Sequence, residues 1–307
     1  RTGRFLSMLA AALVPFGAAA AEDDPDGGVR QSLGTRAALA AANLPNFHFA
    51  GEVREGIGFG SHGLSLDAYI PDAAEAPRPV ALFFHGGSWR MGERGQYGFA
   101  GIALAEAGFL ALVPDYRKHP KVVFPAFMED AAEAVRWARD NAARMGGDPD
   151  RILLVGHSAG GHIAALLAYD GRYLEAAGVD PGVIAGVAGL AGPYDFTPQA
   201  ANIRAVFASP DNYPAMQAGN FVAPGDPPIL MQIGADDRIV STSNMDRMEE
   251  ALEAAGVCFA RRSYAGRDHI GIAAELTAYY RDESPVMADL AGFLSAAARG
   301  EACGFEP

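Results

Sequence analysis

Cysteine is nearly absent from the chain: Cys258 and Cys303 are the only two in 307 residues. Two thiols this far apart exclude a cysteine-rich metal centre. They leave two readings open, a disulfide tying the C-terminal tail to the body or a pair of buried free thiols. Positive charge is scarce as well. Lys and Arg number 24 against 37 Asp and Glu, a formal net charge of −13 with no basic run. That balance argues against nucleic acid or an anionic membrane surface as partner. No apolar run reaches the roughly 20 residues that a membrane-spanning helix needs, and no internal repeat is visible.

What remains is a globular composition. Half the residues are hydrophobic and a fifth charged, enough for a sizeable core, and the length suits one large α/β domain or two small ones. The N-terminus predicts an export signal over 1–21. Arg1 and Arg4 precede an apolar run from Phe5 to Phe16, and "GAAAAEDD" supplies an A-x-A cleavage pattern near Ala19 to Ala21. The expected location is therefore periplasmic or secreted, or cytoplasmic if this segment is not a signal. Residues 22–50 form an N-terminal extension with an Ala-rich helical patch near Thr35 to Ala42, and 301–307 a C-terminal tail.

Between them, over 51–300, strands and helices alternate in one domain. "EVREGIGFG" and "LSLDAYIP" alternate in polarity and predict an antiparallel pair. "PVALFFHGG", "GFLALVPDYR", "RILLVGHSAG", "VIAGVAGLAG" and "PPILMQIGADD" are continuous apolar runs, as expected of strands covered on both faces. "CFARRSYAG" follows as a last strand. The clearest helix is "FMEDAAEAVRWARDNAARM". Ala131, Ala134, Val135, Ala138, Ala142 and Met145 keep i, i+3, i+4, i+7 spacing before Gly146-Gly147-Asp148-Pro149 ends it. Further helices are expected near Ile102 to Ala107, Gly161 to Tyr169 and Pro285 to Ala298. This pattern predicts a mostly parallel, doubly wound α/β sheet flanked by helices. Residues 196–226 show no clear element and read as a small cap-like insertion after the sixth strand, over the sheet edge where pockets form.

Four stretches carry chemistry. In "LLVGHSAGGH" a strand runs into Gly156-His157-Ser158-Ala159-Gly160 with no spacer before a helix, the pattern of a G-x-S-x-G elbow that exposes a serine Oγ. In "FFHGGSW" the N–H groups of Gly86 and Gly87, with that of Ala159, are candidates for an oxyanion hole. His85 reads as a brace for that loop. Asp236 and Asp237 follow an apolar strand, and one of the two can orient a catalytic histidine. Among the seven histidines, His269 alone lies on a loop after both nucleophile and acid. His157 and His162 flank the serine and read as packing or pocket-lining residues. The order serine, acid, histidine is that of α/β-hydrolases.

With these pieces in place, the chain resembles the α/β-hydrolase carboxylesterases that carry HGG motifs, a group with acetyl or feruloyl esterase-like and hormone-sensitive-lipase-like members. Matching stretches are "HGGSWRMGE", "VPDYRKHP", "FPAFMEDAAEAVRWARDNAARMGGDPDRILLVGHSAGGHIAALLA", "PPILMQIGADDRIV" and "HIGIAAEL". In that family the acid lies three residues after a glycine and three before a valine, which implies Asp237, between Gly234 and Val240. The resemblance implies Ser158 as nucleophile, His269 as base and Gly86, Gly87 and Ala159 as oxyanion donors. Ser88-Trp89 replaces a third glycine and resembles the feruloyl or acetyl esterase and kynurenine formamidase branch, and no long N-terminal helical cap is present.

The expected function is a serine carboxylesterase for small or medium acyl esters, working through an acyl-enzyme with no metal and no cofactor. Its expected partner is a small-molecule ester, and oligomeric state is unreadable. Trp89, Tyr194 and His157 are candidate pocket residues. An arylformamidase or small amidase would use the same constellation. A non-catalytic binding protein of this fold would have a broken triad, and here every member is present.

Overall fold

Along Val80 to Phe84 the apolar run divides between two cores. Val80, Leu82 and Phe84 pack into one and Ala81 and Phe83 into the other, because successive side chains of a strand point to opposite faces. Ile152 and Leu154 against Leu153 and Val155 repeat the division. A run of this kind requires helices on both sides of the sheet, and they are there. The structure, a computed structural model, describes residues 21–23, 29–31, 33–44, 49–72 and 77–305. The expected export signal lies outside them, apart from Ala21.

In chain order the elements are β1 (Ala21–Asp23), β2 (Val29–Gln31), α1 (Leu33–Asn43), β3 (Glu52–Phe59), β4 (Leu64–Ile70), β5 (Arg78–Phe84), α2 (Gly98–Glu106) and β6 (Leu110–Pro114). There follow α3 (Ala126–Asn141), β7 (Gly147–His157), α4 (Ala159–Tyr169), β8 (Ile184–Leu190), α5 (Ala201–Phe207), β9 (Ile229–Gly234), α6 (Ser243–Ala255), β10 (Phe259–Tyr264) and α7 (Pro285–Ala298). Eight strands form one sheet in the order β10-β9-β8-β7-β5-β6-β4-β3. It is parallel from β10 to β6 and turns antiparallel at β4 and β3. The core shared by α3, α4 and α6 covers one face, and that shared by α2 and α7 covers the other. Among the described residues no helix is long and apolar enough to cross a membrane.

The predicted elements recur with shifted bounds. α4 begins at Ala159, two residues earlier than the glycines suggest, because Ser158 (φ 54°, ψ −120°) makes the whole turn. β7 begins at Gly147, not Arg151. Gly146 (φ 76°) ends the preceding helical turn, and Gly147 already pairs with Arg78. Residues 196–226, without a readable periodicity, contain α5 and three short 3₁₀ turns. Phe207, Met216 and Ala218 bury them, and the Gln217 side chain both accepts from the Phe196 N–H at 2.8 Å and donates to its carbonyl at 2.6 Å. Tertiary anchors hold this segment, so local pattern does not reveal it.

Helix α1 and the segment around Cys303 are both tied to the body. The Asn43 side chain accepts from the Phe99 N–H at 2.9 Å and donates to the Gln96 carbonyl at 3.0 Å, docking α1 beside α2. Cys258 and Cys303 form a disulfide with Cα atoms 5.1 Å apart, so of the two readings left open by the sequence the structure has the bonded one.

Candidate active site

The elbow is built by close packing. A Cβ on Gly156 would collide with the backbone of Gly160, and one on Gly160 with the carbonyl of Phe84 at the end of β5. The second glycine is thus needed for the neighbouring strand as much as for the turn itself. Ser158 sits at positive φ, a strained backbone for a residue with a side chain, held by its N–H bond to the Leu190 carbonyl at 2.9 Å. Ala159 is the first residue of α4, so its N–H has no acceptor within the helix.

The structure brings Ser158, His269 and Asp237 together across 111 and 32 residues of chain. His269 Nδ1–H donates to Asp237 Oδ2 at 2.8 Å, which leaves Nε2 to accept from Ser158 Oγ–H at 2.9 Å. The other Asp237 oxygen, Oδ1, accepts from the N–H groups of Ile239 and Val240 at 2.8 and 2.9 Å. Burial opposes the charge on Asp237, but the hydrogen bond and charge of His269, with those two N–H groups, hold its carboxyl below the ordinary range. Asp236 faces solvent.

The loop after β5 approaches Ser158 from the other side. His85 is fully buried, donating Nδ1–H to the Gly86 carbonyl at 2.8 Å, while the Tyr116 hydroxyl donates to the His85 carbonyl at 2.9 Å. The Tyr116 ring stacks on the imidazole at 4.4 Å. His85 Nε2 lies 3.7 Å from Asp115, and Arg94 links Asp115 to Asp67 with bonds of 2.6 and 2.8 Å. Burial, helped by the charge on Lys118, holds His85 below its ordinary pKa. Ser88 and Trp89 both take positive φ (54° and 57°), strained values for residues of their size.

The three candidate pocket residues fare differently. Trp89, 4% exposed, is stacked on Phe196 at 5.7 Å and meets Phe207 at 5.0 Å and, at 5.1 Å, His162, which lies one helical turn beyond Ser158. Tyr194 is a core residue, 1% exposed, with its hydroxyl donating to the Gly189 carbonyl at 3.2 Å. His157 is 2% exposed and turned beneath the site, its Nε2–H donating to the carbonyl of His269 at 2.9 Å. The pocket assignments of Tyr194 and His157 are corrected accordingly: burial and an internal partner keep both from a ligand.

Among the described residues His62, Asp130 and Glu133 bring possible metal-ligand atoms within 4.8 Å of one another. Asp130, however, is engaged by Arg117 and Glu133 by Ser61, so these groups serve loop contacts.

A parallel-to-antiparallel sheet with Ser158 on its elbow, an acid after β9 and a histidine after β10 defines an α/β-hydrolase of the HGG-motif carboxylesterase group. Within it, the BD-FAE family model matches residues 66–252, and the chain belongs to that family. It is 35% identical over 121 residues to isoprenylcysteine alpha-carbonyl methylesterase of Arabidopsis thaliana, 39% of this chain and 28% of that protein. It is 32% identical over 203 residues to esterase LipC of Mycobacterium tuberculosis, 60% of this chain and 50% of that one. The chain thus spans half or less of the length of these relatives. A truncated carbohydrate esterase from gut microbiota shares the fold, with TM-score 0.70 and 21% identity over 82% of this chain and 98% of that chain.

Proposed function

We propose that the chain is a serine carboxylesterase acting on small or medium acyl esters. The observation that carries this reading is the unbroken hydrogen-bond chain from Ser158 Oγ through His269 to Asp237. Ser158 Oγ attacks the ester carbonyl while its proton passes to His269 Nε2. The resulting imidazolium is stabilised by Asp237, which also fixes the tautomer. Negative charge on the former carbonyl oxygen is met by the N–H groups of Gly86, Gly87 and Ala159, whose positioning beforehand avoids reorganisation during the step. Collapse breaks the bond to the alcohol, which leaves with the proton from His269. Water, deprotonated by His269, then attacks the acyl-enzyme and regenerates Ser158. These steps use side chains, backbone and water alone.

A fluorophosphonate probe tests the reading directly, since only an activated serine is labelled at neutral pH. The wild-type chain is expected to be labelled and to hydrolyse p-nitrophenyl acetate, and Ser158→Ala to lose both while keeping its circular dichroism spectrum. An unlabelled wild type, or turnover retained by Ser158→Ala, would refute the mechanism. The related methylesterase and carbohydrate esterase both act on esters by name, which agrees with this reading.

The acyl-size reading rests on the rings of Trp89, Phe196 and Phe207, which pack with His162, one helical turn beyond Ser158. Trp89→Leu is expected to raise the hexanoate-to-acetate ratio of kcat/KM about tenfold, within the range that one or a few methylenes are worth in an apolar pocket. An unchanged ratio across p-nitrophenyl esters would place the acyl group elsewhere. Export is also part of the proposal: the disulfide suits an oxidising compartment.

A further inference from the structure

We propose that His157, the residue before the nucleophile, is a positioning residue for the base: its side chain fastens the loop of His269 to the elbow of Ser158. The inference rests on the esterase reading for its consequence and on geometry for its substance. His157 Nε2–H donates to the His269 carbonyl oxygen at 2.9 Å, a bond that joins residues 112 apart in sequence. Other bonds shape the base loop as well: the Arg267 carbonyl accepts from the Asp236 N–H at 3.0 Å, tying the start of the loop to the end of β9, and several bonds run to Asp268. Its Oδ1 accepts from the N–H groups of Ile270 and Gly271 at 3.2 and 2.7 Å, and its carbonyl from that of Ile272 at 3.1 Å. The Asp268 bonds curl the loop on itself around His269, and none of these bonds reaches β7. The bond from His157 ties the backbone of His269 to the strand that presents the serine.

The imidazole of His157 has little freedom. A Cβ on Gly86 would stand 2.9 Å from its Nδ1, so the ring is wedged between the candidate oxyanion loop and the base. Tyr97 lies alongside at a centroid distance of 6.4 Å and His269 at 5.1 Å. Because Nε2 donates, Nδ1 carries the lone pair, and that atom is buried without a hydrogen-bond partner. A buried polar atom left unpaired is costly, and the bond made by the other nitrogen is what the ring supplies in exchange. The ring also stays neutral. Burial, with the neighbouring His269, pushes its pKa down to about 3. A neutral donor in this position places no second positive charge beside His269 when that residue becomes an imidazolium.

This arrangement makes His157 act through His269 and not on the substrate. Displacement of a catalytic group by about 1 Å can cost about 100-fold in rate. His157→Phe keeps a planar ring and loses the donor, whereas His157→Gln keeps an N–H donor at similar reach. The expected result for His157→Phe is a 10- to 100-fold fall in kcat for p-nitrophenyl acetate and in the fluorophosphonate labelling rate, with KM within about twofold. His157→Gln is expected to recover most of kcat. A merely structural role would instead lower the folded fraction in both variants and give no donor-dependent rescue. If His157→Phe does not fold, Gln is compared with His157→Asn, whose amide is one methylene too short; a tenfold advantage for Gln is expected.

A second readout is independent of turnover. The hydrogen-bonded Nδ1 proton of His269 should give a downfield proton resonance in the wild type, broadened in the variant lacking the donor and restored in His157→Gln. Absence of esterase activity in the wild type would sink the proposed function and leave this resonance to decide the role of His157. Equal kcat in the donor-bearing and donor-lacking variants, or a resonance indifferent to the donor, would overturn the inference.

Discussion

Asp237→Asn is expected to lower kcat for p-nitrophenyl acetate by about 10⁴-fold, the loss that follows when a triad acid can no longer fix the histidine tautomer. The site explains why one atom matters so much. Oδ1 of the substituted side chain would still accept from the N–H groups of Ile239 and Val240, so the loop keeps its shape. The amide nitrogen would then face His269 Nδ1 in place of the carboxylate oxygen now 2.8 Å away. An amide donor requires Nδ1 to accept, which moves the ring proton to Nε2, where it blocks acceptance of the Ser158 proton. KM should change little, because Asp237 does not touch the ester. Asp236→Asn is the control. Its side chain is exposed, and kcat is expected to stay within about twofold. Steady-state kinetics at pH 7.5 checks both, and an equal loss in the two variants would show that the acid has been misassigned.

Acid should destabilise the fold well before its carboxylates are protonated. Burial holds four histidines below their ordinary pKa: His85, His119, His157 at about 3 and His162 at about 4. In the unfolded chain each titrates near 6.5. Between those values the unfolded state binds more protons than the native one, so stability rises with pH across the window and is lost as pH falls below about 6.5. From pH 7.5 to 4.5, His157 and His162 together account for about 5 kcal/mol, as much as the whole stability of a marginal domain. Asp237, whose carboxyl is held low, adds to the loss only below about pH 4. Urea midpoints measured across this range are expected to fall steeply, and His162→Gln, with one group removed, should show a shallower slope. A midpoint constant from pH 7.5 to 4.5 would contradict the buried, neutral state of these rings.

The legible parts of the molecule were those in which a few neighbouring residues carry the physics. Gly156 and Gly160 could be read because the elbow is a local crowding problem, and α3 because its apolar positions repeat along one face. The mostly parallel sheet followed from apolar runs separated by helices, whereas the order of its strands did not. Asp237 was separable from Asp236 through resemblance alone, since both follow the same strand and only the packing shows which one turns inward. His157 was opaque. Its partner is a backbone carbonyl 112 residues away, and no residue type announces a bond to a carbonyl. The same applies to Arg94, which joins Asp67 and Asp115 under the loop of Gly86. The insertion at 196–226 was opaque for a different reason: its turns are each three or four residues long, shorter than the window in which a period can be counted.

The strand order also carries a stereochemical consequence. Ser158 stands at the end of β7, with β5 on one side and β8, β9 and β10 on the other. The candidate oxyanion donors Gly86 and Gly87 follow β5, whereas His269 follows β10. Under the proposed mechanism, a carbonyl held between them would turn its oxygen toward β5 and its departing alkoxide toward β10, so Oγ would meet only one of its two prochiral faces. The tetrahedral carbon formed there would have a single handedness, set by which strands neighbour β7. With racemic alcohols or branched acids, the sheet topology itself becomes a source of enantiomer preference.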